Sequence, residues 1–283
     1  VVTASYWAFT LTDGALRMLV ILYFHQLGYS PLEIASLFLL YEFCGVITNL
    51  LGGWMAAHLG LNSAMHLGLA LQILALSMLL VEPAWLSVIY VMIVQAMSGI
   101  AKDLNKMSAK SSIKLLVPSD AQGQLYRWVA ILTGSKNTLK GAGFFLGALL
   151  LAWLGFQGAV ALMAVALVSV LTLSGLLLDR NLGKISYKPK FNEVFSKNGA
   201  VNRLSAARMF LFGSRDVWFV VALPVYLQSQ LNWHHMEVGM MMAAWVVGYG
   251  FVQTLAPKVT GIARGQVPDG KTAFAWSVGL CIL

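Results

Sequence analysis

Long apolar runs broken by short polar punctuation dominate this chain. A helix crossing a hydrocarbon core of about 30 Å needs roughly 20 apolar residues. Segments of that kind follow one another from end to end. The first, Val1–Gln26, is apolar except for Asp13 and Arg17, which stand one helical turn apart and are able to pair. Leu27-Gly28-Tyr29-Ser30-Pro31 makes a turn, and Pro31 suits a helix's first turn. Segment two, Pro31–Leu51, carries Glu42 at its middle, and Gly52-Gly53 leads to a short loop around His58–Asn62. Segment three is Ser63–Val81, stopped by Glu82-Pro83, and segment four is Trp85–Met107. After a polar connection with Pro118, Asp120 and Gly123, segment five, Tyr126–Leu154, contains Lys136, Asn137 and Lys140. Gly155–Gly158 reads as a tight turn and Ala159–Leu178 as segment six. Segment seven, Ser205–Gln230, holds Arg208, Arg215 and Asp216; segment eight is Met236–Val259, and a ninth begins near Thr272.

Segment four closes on SGIAKDLNKMSAKSSIK, residues 98–114, which sets Lys102, Lys106, Lys110 and Lys114 four residues apart with Asp103 and Asn105 among them. On a helix that spacing makes one slowly drifting stripe. A rise of roughly 25 Å separates Trp85 from Lys102, which puts Lys102 inside the far edge of the apolar layer and Lys106 near it. Lys110 and Lys114 lie where side chains snorkel to the interface. Charges at membrane depth usually face a cavity or a partner.

Composition excludes a soluble domain. Of the 283 residues 59% are hydrophobic and 11% charged, against about 25% charged in a soluble domain. Mean hydropathy is +0.75. The formal charge of +8 does not point to nucleic acid, because the basic residues cluster between apolar segments. Connections four–five, six–seven and eight–nine hold them, while connections one–two, three–four, five–six and seven–eight hold none. The positive-inside rule then places the N-terminus in the cytoplasm. Cys44 and Cys281 sit in apolar segments and form neither a disulfide framework nor a metal site. The chain opens without Met and ends inside a helix, so it reads as a fragment.

An internal repeat is visible. Leu27-Gly-Tyr-Ser-Pro-Leu-Glu33-Ile34 aligns with Leu231-Asn-Trp-His-His-Met-Glu237-Val238, and both join an odd segment to an even one. The basic stretch Asp179–Leu204 separates the two copies. The expected architecture is all-α and polytopic: a six-helix half over 1–180, a cytoplasmic basic linker over 181–204, and the first part of a second half over 205–283. That is the plan of major facilitator transporters. The signature such proteins carry after helix two is kept at Gly53 and Gly60, while Ala57 replaces its Asp and Leu61-Asn62 replaces its basic pair.

Two motifs are decoys. Gly265-Gln-Val-Pro-Asp-Gly270-Lys271-Thr272 fits a P-loop literally, but membrane segments flank it where a strand and a soluble helix are required. His234-His235 lacks the spacing of a zinc site. No nucleophile–base arrangement is apparent, so neither an enzyme nor a cofactor is expected.

The stretches YWAFTLTDGALRM (6–18), LGYSPLEIA (27–35), SGIAKDLNKMSAKSSIKLL (98–116), LYRWVAILTGSKNTLKG (125–141) and FLFGSRDVWFVVALP (210–224) carry a closer likeness. The chain resembles the organoarsenical efflux permeases (ArsJ) of bacterial arsenic-resistance operons, a branch of the major facilitator superfamily. The resemblance implies export of 1-arseno-3-phosphoglycerate across the bacterial inner membrane, conferring arsenate resistance. It also implies functional pairing with a glyceraldehyde-3-phosphate dehydrogenase, which makes that ester from arsenate.

The residues themselves fit an anionic small-molecule cargo. Counted from Arg127, Lys136 lies roughly 13 Å and Lys140 roughly 19 Å into the layer. With Lys102 and Lys106 they make a basic path, which Arg17 and Arg215 are placed to close, since Arg matches phosphate-like oxygens bidentately. Asp13, Glu42, Asp103 and Asp216 are candidates for ion pairing or proton coupling. The same charges serve an exporter of another phosphorylated or organic anion. A membrane sensor without transport would need an output domain that is not visible here.

Overall fold

Apolar runs of this length must satisfy their own backbone groups, and in lipid only helices and closed barrels do so. The computed structural model describes residues 1–117, 122–178, 198–216, 223, 226–227, 230–233, 235–259 and 269–282, and among them it contains helices and turns but no strand. In chain order these are α1 (Val2–Gln26), the short α2 (Pro31–Ser36), α3 (Leu39–Leu59), α4 (Leu61–Met78), a 3-10 turn at Pro83–Trp85, α5 (Val88–Leu116) and α6 (Gln122–Leu177). There follow α7 (Gly199–Asp216), α8 (His235–Val259) and α9 (Gly270–Ile282). Residues 179–197, most of the basic stretch Asp179–Leu204, lie outside the described residues, and α7 opens at Gly199, before the Ser205 read as its start.

Segment two is not one helix. Ser30 and Glu33 form a capping box: the Glu33 backbone N–H reaches Ser30 Oγ, and the Ser30 N–H donates to Glu33 Oε2 at 2.8 Å. The helix so started stops at Ser36, turns through Leu37 and Phe38, and restarts where the Glu42 N–H meets the Phe38 carbonyl. The restarted helix runs through Gly52-Gly53 to Leu59, so these glycines open no loop. Gly52 lies instead against Met107 of α5, whose Cγ would be 3.2 Å from a Cβ added there. The break falls at Gly60 alone, with φ 86°, a region that L side chains rarely adopt. The turn expected over Gly155–Gly158 likewise shrinks to Gly155, φ 68°, which bends α6 into two arms.

Four of the described helical segments are long and apolar enough to cross a membrane: Val2–Gln26, Leu32–Gly52, Leu61–Met78 and Gly123–Leu177. The second runs through the α2–α3 break, and the last contains both arms of α6. The 29-residue α5 is as long but carries Lys102, Asp103, Lys106, Lys110 and Lys114 in its second half.

α1 packs along α6, which also packs on α4 and α8, while α3 and α4 pack on α5. Small residues permit the closest of these crossings. Gly143 and Gly147 of α6 rest on α1, so that a Cβ on Gly147 would strike the Ala15 carbonyl and one on Gly143 would sit 2.5 Å from the Leu11 oxygen. Beyond the bend, Tyr23 of α1 stacks on Phe156 at 4.0 Å between ring centroids. The apolar core between these helices includes Leu16, Leu19, Phe24, Met65, Leu69, Leu76, Val94 and Leu167.

Candidate functional site

Charged side chains meet where α1, α3 and α5 come together. Arg17 of α1 donates from Nη2 to Glu42 Oε1 of α3 at 2.7 Å. Glu42 turns its second oxygen to Lys102 Nζ of α5 at 3.5 Å. One helix turn along α5, Lys106 Nζ lies 2.8 Å from Asp103 Oδ1 and 3.4 Å from Asn49 Oδ1 of α3. Asp103 is buried, its side chain 5% exposed, and its other oxygen stands 3.9 Å from Lys102 Nζ. Gly45 makes room for it, because a Cβ there would lie 2.8 Å from Asp103 Oδ2.

The Asp13–Arg17 pair offered by their spacing on α1 is not the one that forms. Asp13 is buried and accepts the Tyr41 hydroxyl, at 2.8 Å to Oδ1 and 3.1 Å to Oδ2. Tyr41 comes from α3 and is 2% exposed. Its ring carries a cation on either account: the Arg17 guanidinium carbon is 4.7 Å and Lys102 Nζ 4.1 Å from the centroid. Phe38 adds a second ring 5.1 Å from the Arg17 guanidinium carbon and meets Tyr41 edge-on. Arg17 therefore bonds a carboxylate end-on while resting on two rings, and aromatic faces attract cations most where water is scarce.

Lys136 and Lys140 differ from these. They project one turn apart from α6, and among the described residues neither has a carboxylate within 4.0 Å. Lys140 Nζ sits 6.0 Å from the Phe144 ring centroid. Around them the same helix makes polar contact with its neighbours. Ser135 accepts a hydrogen bond from Trp7 Nε1 of α1 at 2.9 Å, and Asn137 donates to Gln253 Oε1 of α8 at 2.7 Å.

Arg17, Glu42, Lys102, Asp103 and Lys106 thus form one network, with Asp13 attached to it through Tyr41. Among the described residues Lys136 and Lys140 make no ion pair with that network, although their charges act on Asp13. Of the lysine stripe on α5, Lys102 and Lys106 turn to acids, and Lys114 is exposed. Arg215 and Asp216 end α7, and their side chains lie outside the described residues. Tyr41, Asn49 and Phe38 were not singled out by sequence reasoning. For Tyr41 a signal was available: a phenol inside an apolar segment, next to Glu42, needs a hydrogen-bond partner when buried.

Cations outnumber carboxylates here. Among the described residues of this region, Arg17, Lys102, Lys106, Lys136 and Lys140 stand against Asp13, Glu42 and Asp103. Two of these lysines, Lys136 and Lys140, have no acid within 4.0 Å among the described residues.

The P-loop match also has a structural reading. Asp269 caps α9, accepting from the Thr272 backbone N–H and hydroxyl, each at 2.8 Å. The helix N-terminus that would bind a phosphate is taken by the chain's own carboxylate. Residues 265–268 lie outside the described set.

Comparison with known proteins agrees with the fold. The model of the Major Facilitator Superfamily matches residues 2–283. A crystal structure of the peptide transporter POT, a mutant form in complex with sulfate, is similar at a TM-score of 0.52 and 17% identity. The similarity covers 84% of this chain and 47% of that one, so the chain spans about half the length of the transporter it matches. No curated protein matches the chain.

Proposed function

Because the chain belongs to the major facilitator superfamily, we propose that it is part of a secondary active transporter that exports an organoarsenical phosphate ester, 1-arseno-3-phosphoglycerate. The observation that carries an anionic cargo is the pair Lys136–Lys140, one helix turn apart on α6 and with no carboxylate within 4.0 Å among the described residues, while Arg17, Lys102 and Lys106 are already paired. A dianionic phosphate or arsenate group would balance them with charge-assisted hydrogen bonds. The choice of arsenical among such anions rests on the likeness of residues 6–18, 27–35, 98–116, 125–141 and 210–224 to the arsenical permeases.

In this reading the protein lies in the bacterial inner membrane with its N-terminus in the cytoplasm, as the basic loops favour. Residues 1–180 form one six-helix half, 181–204 a linker, and 205–283 the beginning of the other half. A glyceraldehyde-3-phosphate dehydrogenase supplies the cargo. Asp13, Glu42, Asp103 and Asp216 supply counter-charges or carry coupled protons, and Arg215 serves the second half.

The test is arsenate efflux from cells carrying the full-length gene, with and without the dehydrogenase. Efflux that requires both is the expected result. Export of organic phosphates without any effect on arsenate would assign the same lysines to a different phosphorylated anion.

A further inference from the structure

Tyr41 occupies a position that neither charge pairing nor packing alone requires. Its ring is the shared surface of two cations from different helices, Arg17 of α1 and Lys102 of α5. Its hydroxyl is given to Asp13, the one intramembrane carboxylate among the described residues with no cation within 4.0 Å. Its backbone presses on Gly99 of α5, where any side chain would collide with the Tyr41 carbonyl. Three helices therefore fix the ring's place.

We propose that Tyr41 is a positioning residue of the anion site, whose ring seats both Arg17 and Lys102 and whose hydroxyl ties that seating to the ionisation of Asp13. The inference rests on the anionic-cargo reading and deepens it. A guanidinium and an ammonium repel each other at close range. Here the Glu42 carboxylate bonds both heads, and the one Tyr41 ring lies against both. An arriving oxyanion that replaces Glu42 finds both cations already oriented by the ring. The hydroxyl adds a second function. An ionised Asp13 accepts from Tyr41 with both oxygens; a protonated Asp13 has a proton of its own to donate, so the bond must weaken or reverse. The ring that seats the two cations then loses its fixed tilt.

Other charged and titratable groups also reach this place. Tyr6 and Arg17 of α1, Tyr41 and Glu42 of α3, Lys102 and Asp103 of α5, and Lys136 and Lys140 of α6 all act electrostatically on Asp13 or on its immediate partners. Tyr41 alone among them hydrogen-bonds Asp13 directly.

Transport of radiolabelled 3-phosphoglycerate by the full-length protein in proteoliposomes, measured across pH, tests the inference. Three proteins are compared: wild type, Tyr41→Leu and Tyr41→Phe, each normalised to inserted protein. Tyr41→Leu removes the ring beneath both cations and should raise KM about tenfold, with a smaller change in kcat. Tyr41→Phe keeps the ring, so KM should return to near wild type while the pH profile moves. A Tyr41→Leu protein with wild-type KM would overturn the seating role. A Tyr41→Phe protein with the wild-type pH profile would overturn the link to Asp13, and this arm decides the matter if the leucine variant does not insert. A wild-type protein that neither binds nor moves 3-phosphoglycerate refutes the anionic-cargo reading itself, and the role of Tyr41 with it.

Discussion

Arg17 of α1 bonds Glu42 of α3 at 2.7 Å and leaves Asp13, one turn away on its own helix, to a tyrosine. An i, i+4 pair on an isolated helix contributes only a few tenths of a kcal/mol. A contact between helices, flanked by two aromatic rings, is better shielded and needs no competing local geometry. Glu42, 60% exposed at its side chain, is also the acid of the network most open to replacement.

Glu42→Gln therefore tests whether Arg17 and Lys102 belong to the binding site. Removing the carboxylate frees both cations for an incoming oxyanion. The expected result is tighter binding of 3-phosphoglycerate to the full-length protein, by about tenfold if one charge-assisted contact is regained. Binding that is unchanged in a normally inserted Glu42→Gln protein would place the pair outside the cargo's path.

The α1–α6 crossing offers a stability test. Gly147 rests on the Ala15 backbone, a relatively rigid surface, so a branched side chain there must push the two helices apart. Overpacking of that kind typically costs about 1–3 kcal/mol. Gly147→Val should lower the thermal unfolding temperature in detergent, whereas Gly175→Val, whose added Cβ meets nothing within 4 Å, should not. Equal melting of the two would mean that the crossing is looser than described.

These contacts also show what was legible in the chain. α1 and α8 were read to within a residue at each end, because a Gly-Tyr-Ser-Pro turn and a His-His turn bound strongly apolar runs. Gly52-Gly53 misled for a physical reason. Glycine that breaks a helix in water serves as a contact surface between helices in lipid, and only the neighbouring helix distinguishes the two uses. The break at Leu37–Phe38 left no signal, since both residues are good helix formers in apolar surroundings. In the candidate site the charged residues were legible by type and depth. Their partners were not, because spacing along one helix carries no information about what stands on the next. Tyr41 was hidden for the same reason.

At Asp269, which precedes α9 and is exposed, a pH dependence follows from the helix cap. Hydrogen bonds from Thr272 hold the Asp269 carboxyl below its ordinary value. A depressed carboxyl contributes stability that is fully present above its unfolded value and is lost as pH falls through its folded one. Hydrogen-exchange protection of the Thr272 amide should therefore fade on strong acidification, and Asp269→Asn should remove that dependence. Addition of ATP should leave the exchange unchanged. Protection by nucleotide would restore the P-loop reading.

Replacing Lys136 or Lys140 tests the cargo site most directly. Each lysine is held in α6 with no acid beside it among the described residues, so its charge contributes little to folding that a polar substitute would forfeit. Gln keeps a long polar side chain and removes the charge. If an oxyanion binds there, each change should cost on the order of 1.5–3 kcal/mol, more than tenfold in affinity, while insertion stays normal. Lys114→Gln provides the comparison, because Lys114 is exposed near the C-terminal end of the α5 stripe. A screened surface charge contributes weakly, so its loss should leave transport close to wild type. Positive-inside bias alone would make all three substitutions similarly mild. Arsenate resistance in a dehydrogenase-bearing strain is the readout, with membrane abundance measured alongside. Wild-type resistance in the Lys136→Gln, Lys140→Gln double variant would remove the two lysines from the site and leave the family membership standing.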